Sequence, residues 1–380
     1  MRICFICTEI FYWGLYGGFG KIVRTLGREL TRHGVEVYAL IPKIFDLSKS
    51  EETILDGVHV IGFVPPKPRR LLLPFTWHFS KKYIAKIDAD IYHSQEVTPG
   101  TLIAMKKAPE KKHIITFQDP RSLDDVKYIS VALNKNFFST VKDLVYYRMY
   151  CDPLVRAAIK RADALFTQAS FIIKKVKTLY NIKRPIHLLP NPIMVPKHVI
   201  RKSSNPTVCF LGRLDPIKRP EVFLQLARLF PEVTFIVMGR ARDQRRDHYL
   251  RRKYGQLPNV KFLGLIMNDQ EKYKILEKCW ILINTSIYEA FPISFLEAAA
   301  NKCAILSYVD SEGFVSNFGY KIKDYSLQEY ARGLRYLLEN DYWKKLSEKG
   351  YRYVKKVHDL NRVVKLHLKI YKSILSESLL

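Results

Sequence analysis

Short apolar stretches alternate with longer amphipathic ones along almost the whole chain. An uninterrupted apolar run bounded by turn residues is typical of a buried parallel strand, and apolar residues three and four apart are typical of a helix. Strand candidates lie at residues 3–7, 35–41, 58–64, 91–94, 113–117, 164–167 and 186–189, and then at 207–211, 233–238, 260–263, 279–284 and 304–308. Helical patterns lie between them, for example at 21–33, 220–230, 270–278 and 295–301. This alternation predicts an α/β protein whose parallel sheets are covered by helices on both faces.

The chain of 380 residues is long enough for two such domains. A linker composition occurs at residues 190–206, where Pro190, Pro192, Pro196 and Pro206 accompany a Ser-Ser-Asn sequence. We therefore predict two doubly wound, Rossmann-like domains, at residues 1–195 and 196–358. The run 346–375 is predicted to form one or two amphipathic helices.

A glycine-rich loop follows the first predicted strand, at residues 14–21 with the sequence GLYGGFGK. Glycines allow a backbone to approach a ligand closely, and the N-terminus of the following helix favours a phosphate. The loop does not fit an ATP-binding P-loop, because Leu15 replaces the required first glycine and Ile22 follows the lysine. It does not fit a dinucleotide fingerprint either, because Val23 stands at the third glycine position. An anion-binding loop and a simple packing turn both remain open.

The second domain begins with a strand, a turn and a helix, and the turn carries two cations. Gly212 and Arg213 follow the strand directly, and Lys218 precedes Pro220, which suits the first position of a helix. A planar guanidinium, an ammonium group and a helix N-terminus together favour a diphosphate. The alternative is a solvated basic turn in a very basic protein.

Two glutamates eight residues apart, Glu289 and Glu297, follow another predicted strand. Pro292 near the helix start places Glu289 in the loop and Glu297 in an early turn, so both are expected at the carboxyl end of the sheet. Carboxylates accept hydrogen bonds from sugar hydroxyls. Taken alone, such a pair at a helix start more often serves capping and solubility.

The order and spacing of these elements resemble the retaining GT-B glycosyltransferases of family 4, also called glycosyl transferases group 1. The resemblance extends over nearly the whole chain, because residues 17–18 (GG), 190–192 (PNP), 262–264 (FLG) and 370–371 (IY) also resemble that family. It implies two Rossmann-like domains that face a central cleft. It also implies a C-terminal helix, at residues 359–380, that packs back on the first domain.

The resemblance implies that the donor is a nucleotide-diphosphate sugar, a hexose linked to UDP or GDP. It also implies that transfer of the hexose requires neither a metal nor a cofactor. Arg213 and Lys218 would bind the diphosphate, Glu289 the sugar hydroxyls and Glu297 the ribose, and the Gly17-Gly18 loop would close on the diphosphate. The full set of donor-binding residues is Gly17, Gly18, Gly212, Arg213, Lys218, Leu265, Glu289, Phe291, Pro292, Ile293 and Glu297. The catalytic candidates are Glu289, Arg213, Lys218, Gln118 and Asp119.

The sequence departs from the family pattern at three places. Gln118-Asp119 stands where members often have His-Asp, and a glutamine cannot carry a proton as a histidine can. Pro192 replaces a common glycine after Asn191, and Pro292 replaces one between the two glutamates. The first departure leaves open a non-catalytic protein that binds nucleotide sugars.

Composition bears mainly on compartment and partners. Six cysteines show no zinc-site spacing, and no apolar run approaches the roughly 18 residues of a membrane span, so we predict a cytoplasmic protein. The formal net charge of +27 suits an anionic membrane, phosphorylated substrates or nucleic acid, or reflects general Lys/Arg enrichment. Nucleic acid is disfavoured because the chain contains no recognised motif for it.

Basic residues flank an apolar, aromatic stretch at residues 65–83, and residues 146–150 (YYRMY) are similar in character. Such segments suit an anionic membrane surface. We therefore hypothesise a peripheral enzyme that glycosylates a lipid-linked or anionic glycan acceptor at the cytoplasmic face of the membrane. A buried loop with an ordinary solvated basic face is the alternative.

Overall fold

The computed structural model describes residues 1–11, 13, 17–44, 49–133 and 136–376. Contacts divide the chain into two units. Unit 1 consists of Met1–Tyr128, Asn136–Pro192 and Asn361–Leu380, and unit 2 consists of Ile129–Lys135 and Ile193–Leu360. The boundary between the units, at Pro192 and Ile193, lies inside the proline-rich segment 190–206.

Unit 1 is built on a sheet that has eight strands within the described residues. They are β1 (Arg2–Ile6), β2 (Glu36–Pro42), β3 (Glu51–Leu55), β4 (Val58–Phe63), β5 (Ile91–Ser94), β6 (Lys112–Phe117), β7 (Ala164–Thr167) and β8 (His187–Leu188). Their order is β3-β4-β2-β1-β5-β6-β7-β8, and only the pair of β3 with β4 is antiparallel. All seven predicted strands are present. The sequence pattern missed β3 because this strand lies at the sheet edge and is largely exposed, so it has no apolar run.

Helices connect the strands of this sheet along the chain. They are α1 (Gly18–Arg32), α2 (Arg69–Leu72), α3 (Lys81–Ile87), α4 (Pro99–Lys107), α5 (Leu123–Ala132), α6 (Phe137–Tyr146), α7 (Asp152–Arg161) and α8 (Ser170–Tyr180). In α1, Ile22, Leu26 and Leu30 recur at helical spacing and are buried. Gly27 lets α1 approach the sheet closely, because a Cβ atom there would lie 2.7 Å from the Val58 side chain.

Unit 2 contains a wholly parallel sheet, with six strands in the described part of the chain. They are β9 (Thr207–Leu211), β10 (Thr234–Met238), β11 (Val260–Gly264), β12 (Ile281–Asn284), β13 (Ala304–Ser307) and β14 (Gly319–Lys321), in the order β11-β10-β9-β12-β13-β14. All five predicted strands are present. The sequence pattern missed β14 because three residues, Gly-Tyr-Lys, do not form an apolar run.

The helices of unit 2 lie between these strands, except the last two, which follow β14. They are α9 (Pro220–Leu229), α10 (Gln244–Tyr254), α11 (Asp269–Lys278), α12 (Ile293–Ala300), α13 (Phe314–Phe318), α14 (Leu327–Leu338) and α15 (Tyr342–Val357). Strand and helix side chains form one apolar core that includes Phe210, Phe223, Phe235 and Leu334. The strand order places β9 and β12 side by side, so the loops that follow them are neighbours at the carboxyl edge.

The last helix, α16 (Leu360–Leu375), belongs to unit 1. Its Tyr371 hydroxyl forms a 2.8 Å hydrogen bond with Nδ1 of the buried His93, whose Nε2 lies 2.7 Å from the Thr116 hydroxyl. Burial holds the pKa of His93 well below its usual range, and His367 of α16 adds to this effect. His93 is therefore a hydrogen-bonded core histidine. Across the described residues, no helix is both long enough and apolar enough to span a bilayer.

Candidate donor site

Three glycines end the neighbouring strands β9, β10 and β11 at the carboxyl edge of unit 2. Gly212, Gly239 and Gly264 all have positive φ, at 157°, 150° and 75°. The Gly239 N–H donates to the Gly264 carbonyl at 2.6 Å, and a Cβ on Gly239 would lie 1.8 Å from the Gly212 carbonyl oxygen. Only glycine fits this crossing of backbones. The sequence pointed to Gly212 but not to Gly239, which has no glycine motif around it.

Arg213 and Lys218 lie in the turn that follows β9. Arg213 Nε donates to Asp215 Oδ2 at 2.8 Å, and Asp215 Oδ1 accepts the backbone N–H of Arg242 at 3.2 Å. Asp215 therefore holds the guanidinium in a fixed direction while it stays partly exposed. Lys218 ends the short 3-10 helix Pro216–Lys218, and only Arg219 separates it from α9.

Lys218 and Glu289, 71 residues apart in sequence, form a partly buried ion pair. The same carboxylate oxygen of Glu289, Oε1, accepts the Ser286 hydroxyl at 2.8 Å and the Asn284 amide at 3.4 Å. Three donors thus converge on Oε1. Motif spacing predicted the two charged residues but not Asn284 and Ser286. Their signal is the polar Asn-Thr-Ser triplet that directly follows an apolar strand.

Further hydrogen bonds hold the two loops together. The Thr285 hydroxyl donates to the carbonyl oxygens of Lys218 at 2.6 Å and Arg219 at 2.9 Å. The Ile287 N–H donates to the Ile217 carbonyl at 3.1 Å. Because backbone and side-chain contacts fix both loops, the Lys218–Glu289 pair is preorganised.

An open cavity of about 600 Å³ adjoins this pair. Its lining includes Tyr288, Glu289, Tyr308, Asp310, Lys321 and Lys323. Aromatic rings, a carboxylate and ammonium groups in one concave surface suit a ligand that carries many hydroxyl or anionic groups.

Glu297 lies on α12, as the spacing predicts, and only 4% of its surface is exposed. Its Oε1 forms a 2.8 Å ion pair with Lys272 Nζ of α11, which also contacts Asp269 at 2.9 Å. Burial raises the pKa of Tyr273 well above its usual range, and the charge of Glu297 adds to this effect. The sequence did not point to Lys272, because a lysine in an amphipathic helix is normally solvated.

The remaining residues assigned to unit 2 lie in two loops and at the start of α12. Phe291 is buried, with its ring 5.8 Å from that of Phe314. Pro292 precedes α12, which begins at Ile293, and Leu265 directly follows β11 and is partly buried. Phe291 and Pro292 thus join the loop that contains Glu289 to Ile293, the first residue of α12.

In unit 1, Gly17 and Gly20 lie beside a carboxylate of the chain itself. Gly17 and Gly18 begin α1, while Gly14, Leu15 and Tyr16 lie outside the described residues. The buried Glu9 accepts the Gly20 N–H at 3.0 Å, and a Cβ on Gly17 would lie 2.2 Å from the same oxygen, Oε1. The structure therefore places a carboxylate at the helix N-terminus that the sequence assigned to a diphosphate.

Two family models match the chain. Residues 16–195 match Glycosyltransferase Family 4, and residues 196–357 match Glycosyl transferases group 1. This chain belongs to the group 1 glycosyltransferases. The two matches meet at residues 195 and 196, inside the proline-rich segment.

Solved structures show that this glycosyltransferase has the GT-B fold. Sucrose-phosphate synthase from Thermosynechococcus elongatus superposes with a TM-score of 0.72 at 17% identity, covering 99% of this chain and 100% of the other. HepE from Anabaena, solved in complex with UDP-glucose, superposes with a TM-score of 0.65 at 15% identity, covering 98% and 100%.

A curated relative resembles a shorter part of the glycosyltransferase. This relative is a subunit of phosphatidylinositol N-acetylglucosaminyltransferase from Arabidopsis thaliana, and it is 33% identical to this chain over 87 residues. The match covers 23% of this chain and only 19% of that relative's length.

Gln118, at the position where the family often has histidine, is 1% exposed in this glycosyltransferase. Its Nε2 donates to Gln95 Oε1 at 3.3 Å and to Asn191 Oδ1 at 3.2 Å, and its carbonyl accepts Gln168 Nε2 at 2.6 Å. The Gln118 side chain is thus part of a buried amide network. The sequence contains no signal for this network, because the hydrogen-bonded side chains lie up to 73 residues apart.

Glu96 holds the turn that contains Gln118 and Asp119. Its Oε2 accepts the backbone N–H groups of Gln118 at 3.0 Å and of Asp119 at 2.5 Å. The Asp119 carboxylate in turn pairs with Arg121 at 2.6 Å. Burial raises the pKa of Glu96 to about 7, against the lowering effect of the N–H donors. No motif in the sequence pointed to Glu96.

Proposed function

We propose that this glycosyltransferase moves a hexose from a UDP- or GDP-linked sugar to a lipid-linked or glycan acceptor, without a metal and with retention of the anomeric configuration. We place the reaction at the cytoplasmic face of a membrane. The observation that carries the proposal is that one loop at the carboxyl edge of unit 2 holds both Arg213, directed by Asp215, and Lys218, paired with Glu289.

In this proposal Arg213 and Lys218 bind the donor diphosphate. Asp215 already directs the Arg213 guanidinium, so little order is lost when a phosphate accepts its N–H groups. As the glycosidic bond breaks, negative charge develops on the departing diphosphate, and the two cations stabilise it.

Glu289 is assigned to the hexose. The Lys218, Ser286 and Asn284 hydrogen bonds all reach Oε1, so we assign Oε2 to a sugar hydroxyl. The adjoining cavity provides space for the sugar ring beside this carboxylate. Glu297, paired with Lys272, is assigned to the ribose.

Two comparisons support the choice of donor and acceptor. HepE from Anabaena was solved with UDP-glucose, and the Arabidopsis relative is named for the transfer of N-acetylglucosamine to phosphatidylinositol. The basic, aromatic segments of unit 1 agree with a lipid-linked acceptor.

A thermal-shift titration with UDP, GDP and ADP and their sugar conjugates tests the donor site. Each is measured in EDTA and again with Mg²⁺, on wild type, Arg213→Ala and the control Arg245→Ala, which removes an exposed cation from the same unit. We expect one nucleotide to stabilise wild type and Arg245→Ala in EDTA, and to have no effect on Arg213→Ala. The absence of any shift in wild type would refute the proposal.

The burial of Gln118 supports a second candidate, a non-catalytic protein that binds nucleotide sugars. Incubation of the protein with the stabilising donor and a membrane extract separates the two. Release of nucleotide diphosphate together with labelled glycolipid supports the transferase. Binding without turnover across all extracts tested supports the second candidate.

A further inference from the structure

Helix α6 exposes its apolar side to solvent. Val141, Val145 and Met149 follow the adjacent Phe137 and Phe138 at intervals of three or four residues along α6 and the helical segment after it, and all five are exposed. Phe138 is 83% exposed and Met149 is 75% exposed. A surface helix normally buries such a stripe, so this arrangement marks an interaction surface.

The segment Leu73–Ser80 extends this surface. The half-exposed Phe75 places its ring 5.0 Å from Tyr150 in an edge-on contact, and Tyr150 stacks on Tyr146 at 5.3 Å. The Tyr150 hydroxyl also lies 3.0 Å from His78 Nδ1. The structure thus brings together the two basic, aromatic segments of the sequence, at residues 65–83 and 146–150. We call Phe75, Phe137, Phe138, Val141, Val145 and Met149 the aromatic face.

The charges near the aromatic face are mainly positive. Lys142 and Arg148 share the exposed positions of α6 and its following turn, although Arg148 also pairs with Asp152 at 3.1 Å. Lys81 and Lys82, both exposed, directly follow the segment that contains Phe75. Between residues 67 and 86 the sequence has six Lys or Arg residues and no Asp or Glu.

We propose that the aromatic face docks on a lipid bilayer that contains anionic lipids. Exposed Phe, Val and Met side chains insert at the boundary of headgroups and acyl chains, and the surrounding cations attract the anionic headgroups. This inference rests on the proposed function, because docking of the aromatic face brings the enzyme to the membrane that contains a lipid-linked acceptor.

Other occupants fit the aromatic face less well. A second copy of the chain would bring another net charge of +27, so mutual repulsion opposes self-association. A nucleic acid would require aromatic rings for stacking and a continuous row of cations, whereas the centre of this stripe is Val141 and Val145.

Vesicle co-sedimentation of the full chain tests the proposal. The vesicles contain phosphatidylcholine alone or phosphatidylcholine with phosphatidylglycerol. The variants are Phe137→Ser/Phe138→Ser, the control Val199→Ser/Leu229→Ser, which removes exposed apolar side chains from unit 2, and Lys81→Glu/Lys82→Glu.

We expect wild type and the control to bind the anionic vesicles preferentially. The phenylalanine variant should lose about tenfold or more of its partition coefficient. The lysine variant should lose binding to anionic vesicles only. Failure of wild type to bind anionic vesicles, or equal binding by wild type and the phenylalanine variant, would overturn the proposal. A wild-type dimer in the absence of lipid would also overturn it if the phenylalanine variant were monomeric.

The nucleotide thermal shift is measured on every variant. A retained shift shows that the variant is folded and that vesicle binding was lost for a local reason. Vesicle binding by a wild-type protein that no nucleotide stabilises would refute the proposed donor site and leave the docking surface intact.

Discussion

The carboxyl edges of the two sheets differ in how their polar groups are used. In unit 1, Glu9 occupies the N-terminus of α1, and the Gln118 side chain is buried in an amide network while Glu96 holds the Gln118 backbone. In unit 2, Arg213, Lys218 and Glu289 are charged, partly exposed and held in place by neighbouring hydrogen bonds. The same α/β architecture thus has one edge that buries a polar network and one that keeps paired charged groups partly exposed.

Lys218→Ala should have the largest effect, because it removes a cation that we assign to the donor diphosphate at the carboxyl edge of unit 2. We expect turnover of the donor to fall by about 100-fold or more, as when one donor is removed from a preorganised anion site. The initial rate of nucleotide release measures it, with Arg245→Ala as the control. A turnover number within about threefold of wild type would show that the diphosphate does not depend on this lysine.

Gly239→Ala tests whether the glycine crossing shapes the donor edge. The new methyl group would lie 1.8 Å from the Gly212 carbonyl oxygen, so the backbone must move, at a cost of about 2–3 kcal/mol. The matched control is Gly34→Ala, where φ is also positive at 75° but no atom lies within 4 Å. Thermal melts of both variants should show the larger loss for Gly239→Ala. Equal losses would mean that the positive φ alone sets the cost.

Glu289→Gln should separate sugar binding from nucleotide binding. The amide still accepts the hydrogen bonds of Ser286 and Asn284, but it loses the ion pair with Lys218 and a strong acceptor for a sugar hydroxyl. We expect affinity for the nucleotide sugar to fall by about tenfold, while affinity for the free nucleotide diphosphate changes little. Calorimetric titrations with both ligands check this, and a matched loss for both would contradict the assignment to the sugar.

Glu96→Gln should have the smallest effect, on the pH dependence of stability. A carboxyl group whose pKa rises from 4.5 to about 7 on folding contributes stability below pH 4.5 that is lost as the pH rises through 7. The variant has no such titration, so its melting temperature should decline less than that of wild type over this interval. Glu110→Gln, which changes an exposed glutamate of the same unit, serves as the control. Parallel curves for all three proteins would rule out titration of Glu96.

The sequence predicted most of the fold and the charged part of the candidate site, because both leave local signals. Apolar runs revealed every strand that is buried in a sheet, but not the exposed β3 or the short β14. Motif spacing identified Arg213, Lys218 and Glu289. The amide network of Gln118 and the carboxylate of Glu9 were not predicted, since each depends on contacts between loops that only the folded backbone brings together.

The return of α16 to unit 1 has a consequence for synthesis on the ribosome. His93 obtains its Tyr371 partner only after 278 further residues have been added, so a nascent unit 1 lacks one of its buried hydrogen bonds while the whole of unit 2 emerges. Unit 1 therefore begins before unit 2 but completes its core only after unit 2 and α16 have been synthesised.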